Sequence, residues 1–156
     1  MNIIKAHITH FIDCESTVTP KILLNICDYL RYGQTDSNRL YKKFYVHPER
    51  DYDRLQLEGK ISLGSCFFSR PLSYHIIANL VCVKFPKTTY NLIPFKYKSF
   101  KTSLLTVKDY FIKMNMKEIH TPIFGTKIIE GDWTRILSII KDVFEELEDL
   151  SLYVYE

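Results

Sequence analysis

The sequence lacks the glycine patterns by which the common nucleotide-binding folds hold phosphate. Its five glycines form neither a Walker A loop nor a GxGxxG turn. No Gly-x-Ser-x-Gly element presents a nucleophilic serine. The sequence therefore gives no support to a P-loop nucleotidase, a Rossmann dehydrogenase or a hydrolase with a nucleophile elbow.

Residues that could ligate a metal are few and scattered. The four cysteines, at positions 14, 27, 66 and 82, include no pair at the CxxC spacing of a zinc site. The five histidines are dispersed, and no carboxylate spacing completes a site around them. We therefore expect no metal ion, and no pattern indicates a cofactor.

Charge and hydropathy argue against two classes of partner. The net charge of +3 is weaker than a dedicated nucleic-acid binder needs. No apolar run is long enough to span a bilayer or to form a signal peptide. We expect one domain over residues 1–156, in the cytoplasm with reduced cysteines, and neither a nucleic-acid nor a membrane partner.

Apolar residues at helical spacing predict three main helices. The first covers residues 19–33, the second begins near Ser99, and the third follows Asp132 as its N-cap. Apart from one helical turn, the polar segment 34–60 predicts an excursion over the surface. Shorter apolar runs predict strands at residues 2–8, 61–68, 75–83, 118–124 and 152–155.

The order of these elements predicts the fold class. From residue 61 onward the order is strand, strand, helix, strand, helix, strand. Helices between buried strands imply crossovers onto a largely parallel sheet, and the apolar run at 76–83, interrupted by Asn79, is typical of a strand covered on both faces. We predict an α/β protein with a three-layer α/β/α fold and a mixed, mainly parallel sheet.

The most informative segment runs from His120 to Trp133. It leads from a predicted strand, through a loop with two glycines, into a strongly amphipathic helix. A loop that ends at a helix N-terminus can offer backbone N–H groups and a positive dipole end to an anion such as phosphate. The segment is therefore the candidate ligand loop.

This segment resembles the second ligand loop of the macrodomain family, whose members bind ADP-ribose. Phage and bacterial macrodomains carry a strand ending in Pro, a glycine-rich loop, and Gly-Asp-Trp before a helix. Pro122 to Trp133 matches that block in length, and Pro122, Gly125 and Gly131-Asp132-Trp133 agree with it. Leu63-Gly64-Ser65, Ala78–Val81 and Leu152–Tyr155 resemble other strands of the family, so that the likeness covers roughly the last hundred residues.

The resemblance implies a macrodomain-like fold and a site for ADP-ribose, or another nucleotide derived from NAD, at the carboxyl ends of the strands. His7 stands where the family has an adenine-binding Asp, and a neutral imidazole can accept the same hydrogen bond. The implied ligand-binding residues are His7 near adenine, Phe124, Gly125, Thr126 and Lys127 facing the diphosphate, and Gly131 and Asp132 at the helix end.

The chain departs from the family where catalysis is concerned. The segment 13–19, at the place of the first ligand loop, has no glycine, so Cβ atoms fill space that a ribose needs. A subgroup of the family removes ADP-ribose from glutamate with a Lys and an Asp. Lys84 falls at the place of that Lys, but Ile129 at the place of the Asp cannot do acid–base chemistry. We expect binding, and sequestration of the nucleotide, without efficient catalysis.

Two alternatives stay open. Lys127 either contacts the diphosphate or blocks the pocket. In the second case the chain is a pseudo-enzyme whose aromatic surface, in a sequence with 11 Tyr and 10 Phe, binds and inhibits a protein partner. The phage-like character of the resemblance makes a host protein in the host cytoplasm the candidate partner. The other alternative is an ADP-ribosyl hydrolase that uses Lys84.

Overall fold

The fold is built around a six-stranded sheet. The computed structural model describes residues 1–7, 19–72, 74–85, 94–124 and 131–156. Within these ranges the strands are β1 (Asn2–Ala6), β2 (Lys21–Asp28), β3 (Cys66–Leu72), β4 (His75–Val83), β5 (Glu118–Pro122) and β6 (Ser151–Tyr155). The helices are α1 (Asp36–Lys42), α2 (His47–Leu57), α3 (Tyr97–Lys113) and α4 (Trp133–Phe144).

The sheet is mixed and mainly parallel. Its strand order is β1-β6-β5-β2-β4-β3, and every neighbouring pair is parallel except β3 and β4. Side chains of α1 and α2 pack on one face, and those of α3 and α4 pack in the larger core on the other. The predicted three-layer α/β/α fold is confirmed.

The predicted helix at 19–33 is wrong, because this segment contains the central strand β2. All eight residues of β2 are buried. Ile22, Leu24 and Ile26 face the core under α3 and α4, whereas Leu23 and Cys27 face α1 and α2. A strand covered on both faces is apolar at nearly every position, so its sequence fits helical spacing as well as strand spacing.

The segment 34–60 contains more regular structure than predicted. The helical turn around residue 40 is α1, but α2 was missed, and its Pro48 stands in the first turn, where a missing N–H costs nothing. Tyr41 and Tyr52 are fully buried, and their hydroxyls donate to Leu24 O at 2.8 Å and to Asp28 O at 2.7 Å. These two rings therefore hold the helices on the sheet and lie in the core.

The remaining elements follow the predictions closely. The strand β4 has the predicted bounds, while β3 begins five residues later than predicted, at Cys66 instead of residue 61. Helices α3 and α4 begin close to the predicted residues, and Asp132 caps α4 as expected. None of the helices in the described ranges has the length and apolar character needed to cross a membrane.

The sheet opens between β2 and β5. These strands pair only from Lys21–Leu23 to Glu118–His120. Beyond that point side chains of α1 and its cap bind the backbone of β2: the N–H of Ile26 donates to Ser37 Oγ at 2.8 Å, and the Ile26 carbonyl accepts from Thr35 and Asn38. A buried backbone group must be paired, and here side chains replace a neighbouring strand.

Three fully buried asparagines continue this polar network across β2. Asn38 Nδ2 donates to Asn25 Oδ1 at 2.9 Å, and Asn25 Nδ2 donates to Asn79 Oδ1 at 2.8 Å. Asn38 Oδ1 also accepts from the N–H of Gly33 at 3.0 Å. One side chain thus joins α1, the central strand and the loop between them.

We expect Asn38→Ala to lower the free energy of unfolding by about 2–3 kcal/mol, because it leaves several buried polar groups without a partner. Urea unfolding followed by circular dichroism measures this loss. The exposed Asn2 supplies the matched control, and Asn2→Ala should change stability by less than about 0.5 kcal/mol. Equal effects of the two substitutions would contradict the network's role.

A second buried cluster of polar side chains surrounds His120 on β5. Its Nδ1 lies 2.7 Å from the Tyr155 hydroxyl, its Nε2 lies 2.9 Å from Glu118 Oε2, and its ring stacks on Tyr153 with a centroid distance of 4.4 Å. Burial lowers the pKa of His120 from 6.5 to about 4, against the opposing effect of the bond to Glu118. The charges of Lys21 and His75 lower the pKa further.

The depressed pKa of His120 predicts acid sensitivity. The pKa of His120 in the folded state lies below the unfolded value of 6.5. The contribution of neutral His120 to the free energy of unfolding is therefore complete above pH 6.5 and is lost as the pH falls toward 4. The loss should reach up to about 3 kcal/mol. Urea unfolding of wild type and His120→Gln at pH 7.5, 6, 5 and 4.5 measures it, and the variant should show a flatter dependence. Parallel pH curves would refute the assignment.

Candidate functional site

The candidate site lies at the carboxyl edge of the sheet, where five parallel strands end. The segments that leave this edge follow Ala6, Asp28, Val83, Pro122 and Tyr155. Helices α1, α3 and α4 begin at the same edge, since each follows a strand that ends there. Ligands of α/β proteins usually bind at such an edge.

Asp28 organises the loops at this edge. Its carboxylate is 1% exposed and accepts from the N–H groups of Leu30 at 2.9 Å, Arg31 at 3.4 Å and Phe85 at 2.9 Å. The first two belong to the loop after β2, and the third follows β4. One buried carboxylate therefore ties two neighbouring loops together. Asp28 is not among the predicted site residues, although an Asp at the end of an apolar run is a common turn signal.

The loop after β2 contains a glycine that its conformation requires. Gly33 has φ +93°, a value that side chains with a Cβ adopt at a cost. Thr35 then caps α1 by accepting from the N–H of Asn38 at 3.1 Å. The segment predicted at the place of the first ligand loop is 13–19, of which residues 13–18 lie outside the described residues.

Lys84 lies at this edge, directly after β4. It is exposed, and its Nζ is 5.4 Å from the ring centroid of Tyr29, in the loop after β2. The Tyr29 N–H donates to Val83 O at 2.9 Å, which holds the two segments side by side. Ile129, at the place of the family's catalytic Asp, lies outside the described residues.

The candidate ligand loop is described only at its two ends. Phe124 is 2% exposed, and its ring packs in the core with its centroid 6.1 Å from that of Trp133. Its side chain is thus committed to the core, which leaves its backbone as the part that could meet a ligand. Gly125, Thr126 and Lys127 lie outside the described residues.

The far end of the loop is fixed to α3 as well as to α4. A Cβ on Gly131 would lie 3.3 Å from both Phe95 Cγ and Ile136 Cδ1, so a side chain there would crowd the core. Asp132 Oδ1 accepts from the N–H of Thr134 at 2.9 Å, and the Asp132 N–H donates to the Tyr97 hydroxyl at 2.8 Å. These contacts hold the N-terminus of α4 beside the start of α3.

Four basic side chains and four carboxylates stand among the described residues of this region. Arg31, Lys84, Lys96 and Arg135 stand in the loop after β2, after β4, at the N-cap of α3 and in the first turn of α4. Arg135 lies over the Tyr97 ring, 4.0 Å from its centroid. The carboxylates of Asp28 and Asp132 accept from backbone N–H groups, and those of Asp36 and Glu156 form ion pairs with Arg39 and Lys5. With three helix N-termini at the same edge, the local electrostatics favour an anion.

His7 stands at one end of this edge. It is exposed and follows β1, an edge strand of the described sheet, and the Glu156 N–H donates to Ala6 O beside it at 2.9 Å. Because β6 lies between β1 and β5, strand spacing puts His7 about 10 Å from the start of the candidate ligand loop. Within the described ranges, no three His, Cys, Asp or Glu side chains lie close enough to hold a metal ion.

Comparison with known proteins identifies the fold. No family model and no curated protein matches the chain. A protein of unknown function from Bacteroides thetaiotaomicron superposes with a TM-score of 0.84 at 22% identity, over 99% of this chain and 98% of that one. A macrodomain protein from Streptomyces coelicolor superposes with a TM-score of 0.77 at 20% identity, over 99% of both chains.

A third similar structure was solved with a ligand. Thermosipho africanus DarTG in complex with ADP-ribose superposes with a TM-score of 0.64 at 11% identity, over 86% of this chain and 38% of that chain. At identities this low, the likeness concerns architecture and not activity. The protein has the macrodomain fold.

Proposed function

We propose that this protein binds ADP-ribose, or another nucleotide derived from NAD, at the carboxyl edge of its sheet, and that it sequesters the nucleotide without efficient turnover. The observation that carries the proposal is that Arg31, Lys84, Lys96 and Arg135 stand beside the helix N-termini of this edge. The carboxylates there already bind backbone N–H groups or other basic side chains. A diphosphate is the part of such a ligand that this charge would hold.

The extent of the edge supports an elongated ligand. His7, the start of the candidate ligand loop and the loop after β2 follow one another along the ends of β1, β5 and β2. Adenine near His7 would leave the diphosphate beside Phe124, Gly125, Thr126 and Lys127, and would direct the distal ribose toward Lys84. The complex of Thermosipho africanus DarTG with ADP-ribose gives a precedent for this ligand on this fold.

The carboxylates near Lys84 support binding without turnover. Asp28 lies in the adjoining loop, but its oxygens accept from three backbone N–H groups and are buried, so the carboxylate is not presented to a substrate. Asp132 is occupied as a helix cap. With Ile129 at the place of the family's catalytic Asp, Lys84 lacks an acid–base partner among these groups.

The proposal predicts that ADP-ribose binds with a Kd on the order of micromolar, measured by isothermal titration calorimetry. Lys127→Ala should weaken binding about tenfold, because it removes a charge from the diphosphate. Lys141→Ala, at an exposed position in the last turn of α4, is the matched control and should leave Kd unchanged.

Two results would contradict this proposal. A flat calorimetric trace with the wild type would exclude a binding site for ADP-ribose. Binding that emerges or strengthens only in Lys127→Ala would show that Lys127 blocks the cleft, and would favour the alternative of a pseudo-enzyme that binds a protein partner, such as a host protein in the host cytoplasm.

We also expect no release of ADP-ribose from an ADP-ribosylated glutamyl peptide above the rate in buffer, because the carboxylates of Asp28 and Asp132, described at this edge, are not available to Lys84 for proton transfer. Chromatographic detection of free ADP-ribose measures the release, with wild type and Lys84→Ala in parallel. Release by wild type that Lys84→Ala abolishes would establish the hydrolase alternative in place of sequestration.

A further inference from the structure

A cavity of about 350 Å³ lies at the amino edge of the sheet, opposite the proposed nucleotide site. It is formed where α3 and α4 end and the chain turns into β5 and β6. Its volume is near the lower end of the range for small-ligand pockets, about 300–1,000 Å³. The cavity can therefore take one or two side chains, and it is separate from the site described above.

The floor of this cavity is apolar and reaches the core. Phe111, Met116 and Leu150 line it and are 4%, 5% and 1% exposed. At its side Ile112 is 53% exposed, and Leu105, two turns earlier on the same face of α3, is 46% exposed. Exposed apolar side chains beside a concave surface with a charged rim are typical of an interaction site.

The rim of the cavity is acidic. Glu146, Glu148 and Asp149 line it, with Lys117 as the basic residue among the lining side chains. Glu146 forms an exposed ion pair with Lys108 at 3.5 Å. Within the described part of the chain, neither Glu148 nor Asp149 takes part in an ion pair.

The position of these acids works against folding. The C-terminal end of a helix carries a partial negative charge, and cations are the stabilising residues there. Lys113 and Lys141 meet this preference in the last turns of α3 and α4, but Glu145 and Glu146 directly follow α4, and Glu148 and Asp149 come in the next turn of the chain. Glu148 and Asp149 gain nothing from the helix dipole, and at the rim of an apolar cavity they can meet a cationic partner.

We infer that this cavity is a docking site for a segment of a partner protein that carries a lysine or arginine among apolar residues. The aliphatic stem of such a side chain would pack on Met116 and Leu147, and its cationic head would reach Glu148 and Asp149. The exposed Ile112 would contact the apolar neighbours of the basic residue. An acidic segment would be repelled by the same rim.

The apolar floor argues against a free cation as the occupant. A hydrated ion gains nothing from Phe111, Met116 and Leu150, whereas a long basic side chain buries its methylene groups against them. The described residues also hold no cluster of three metal-ligating side chains. The occupant is therefore a side chain with an apolar stem, on a segment that continues over Ile112.

Selection from a displayed library of random heptapeptides tests the inference with the intact chain as bait. The counter-bait is the double variant Glu148→Lys, Asp149→Lys, in which the rim charge is reversed at two exposed positions. Peptides enriched on wild type alone should share a lysine or arginine next to apolar residues. A consensus without a basic residue, or no enrichment over the counter-bait, would overturn the inference.

One enriched peptide, synthesised and titrated into ¹⁵N-labelled protein, locates the site. Amide shifts should concentrate at residues 111–117 and 146–150, and Kd should rise at least about tenfold in the double variant. Asp142→Lys, at an exposed position on α4 that does not line the cavity, is the charge-matched control and should bind as wild type does. Shifts elsewhere, or equal weakening in the control, would contradict the site.

Two further measurements keep the result independent of folding and of the nucleotide proposal. The double variant should unfold at a urea concentration equal to or above that of wild type, because cations suit a helix C-terminus. Its affinity for ADP-ribose should be unchanged, since the cavity lies at the other edge of the sheet. Loss of peptide binding together with a lower unfolding midpoint would attribute the effect to stability and refute the docking site.

Discussion

The structure depends on how the backbone N–H and C=O groups of the central strand β2 are hydrogen-bonded. The strand is buried along its whole length, yet β5 pairs with it only at Lys21–Leu23. Beyond that point the carbonyl of Leu24 and both backbone groups of Ile26 bind side chains from α1 and its cap. Because unpaired buried backbone groups are costly, these contacts fix the place of α1 and hence the course of the loop before it.

In the candidate site, too, buried side chains form hydrogen bonds with backbone groups. Asp28, Thr35 and Asn38 are buried; Asp28 and Asn38 accept from backbone N–H groups of the loop after β2, and Thr35 accepts from the N–H of Asn38 in α1. Loops held by buried hydrogen bonds keep their shape without a ligand, which lowers the entropic cost of binding. The groups that organise the site are consequently unavailable for chemistry, and the exposed groups Arg31 and Lys84 contribute charge.

Sequence patterns predicted the helices that have one apolar face, and also the strand β4, but they missed β2 and α2. The helix α4 has one apolar face and a capping Asp132, so both its position and its start were predictable. The strand β2 is apolar on both faces and matched a helix instead. The polar helix α2 was missed because few of its residues, chiefly Pro48 and Tyr52, are buried.

Some residues of the candidate site were also predictable from the sequence, and others were not. Lys84 and Asp132 could be placed at the carboxyl edge because each stands at the end of a recognisable element. The role of Asp28 was not predictable, because its partner Phe85 is 57 residues away and only the fold brings them together.

The two edges of the sheet also differ in charge, and no short sequence pattern predicts this difference. Helix N-termini and basic side chains meet at one edge, whereas at the other the C-termini of α3 and α4 meet Glu146, Glu148 and Asp149. The N-cap Asp132 offsets the positive end of α4, and Lys141 in the last turn offsets its negative end. The charge that distinguishes the two edges therefore comes from side chains in the loops, such as Arg31 and Lys84 at one edge and Glu148 and Asp149 at the other.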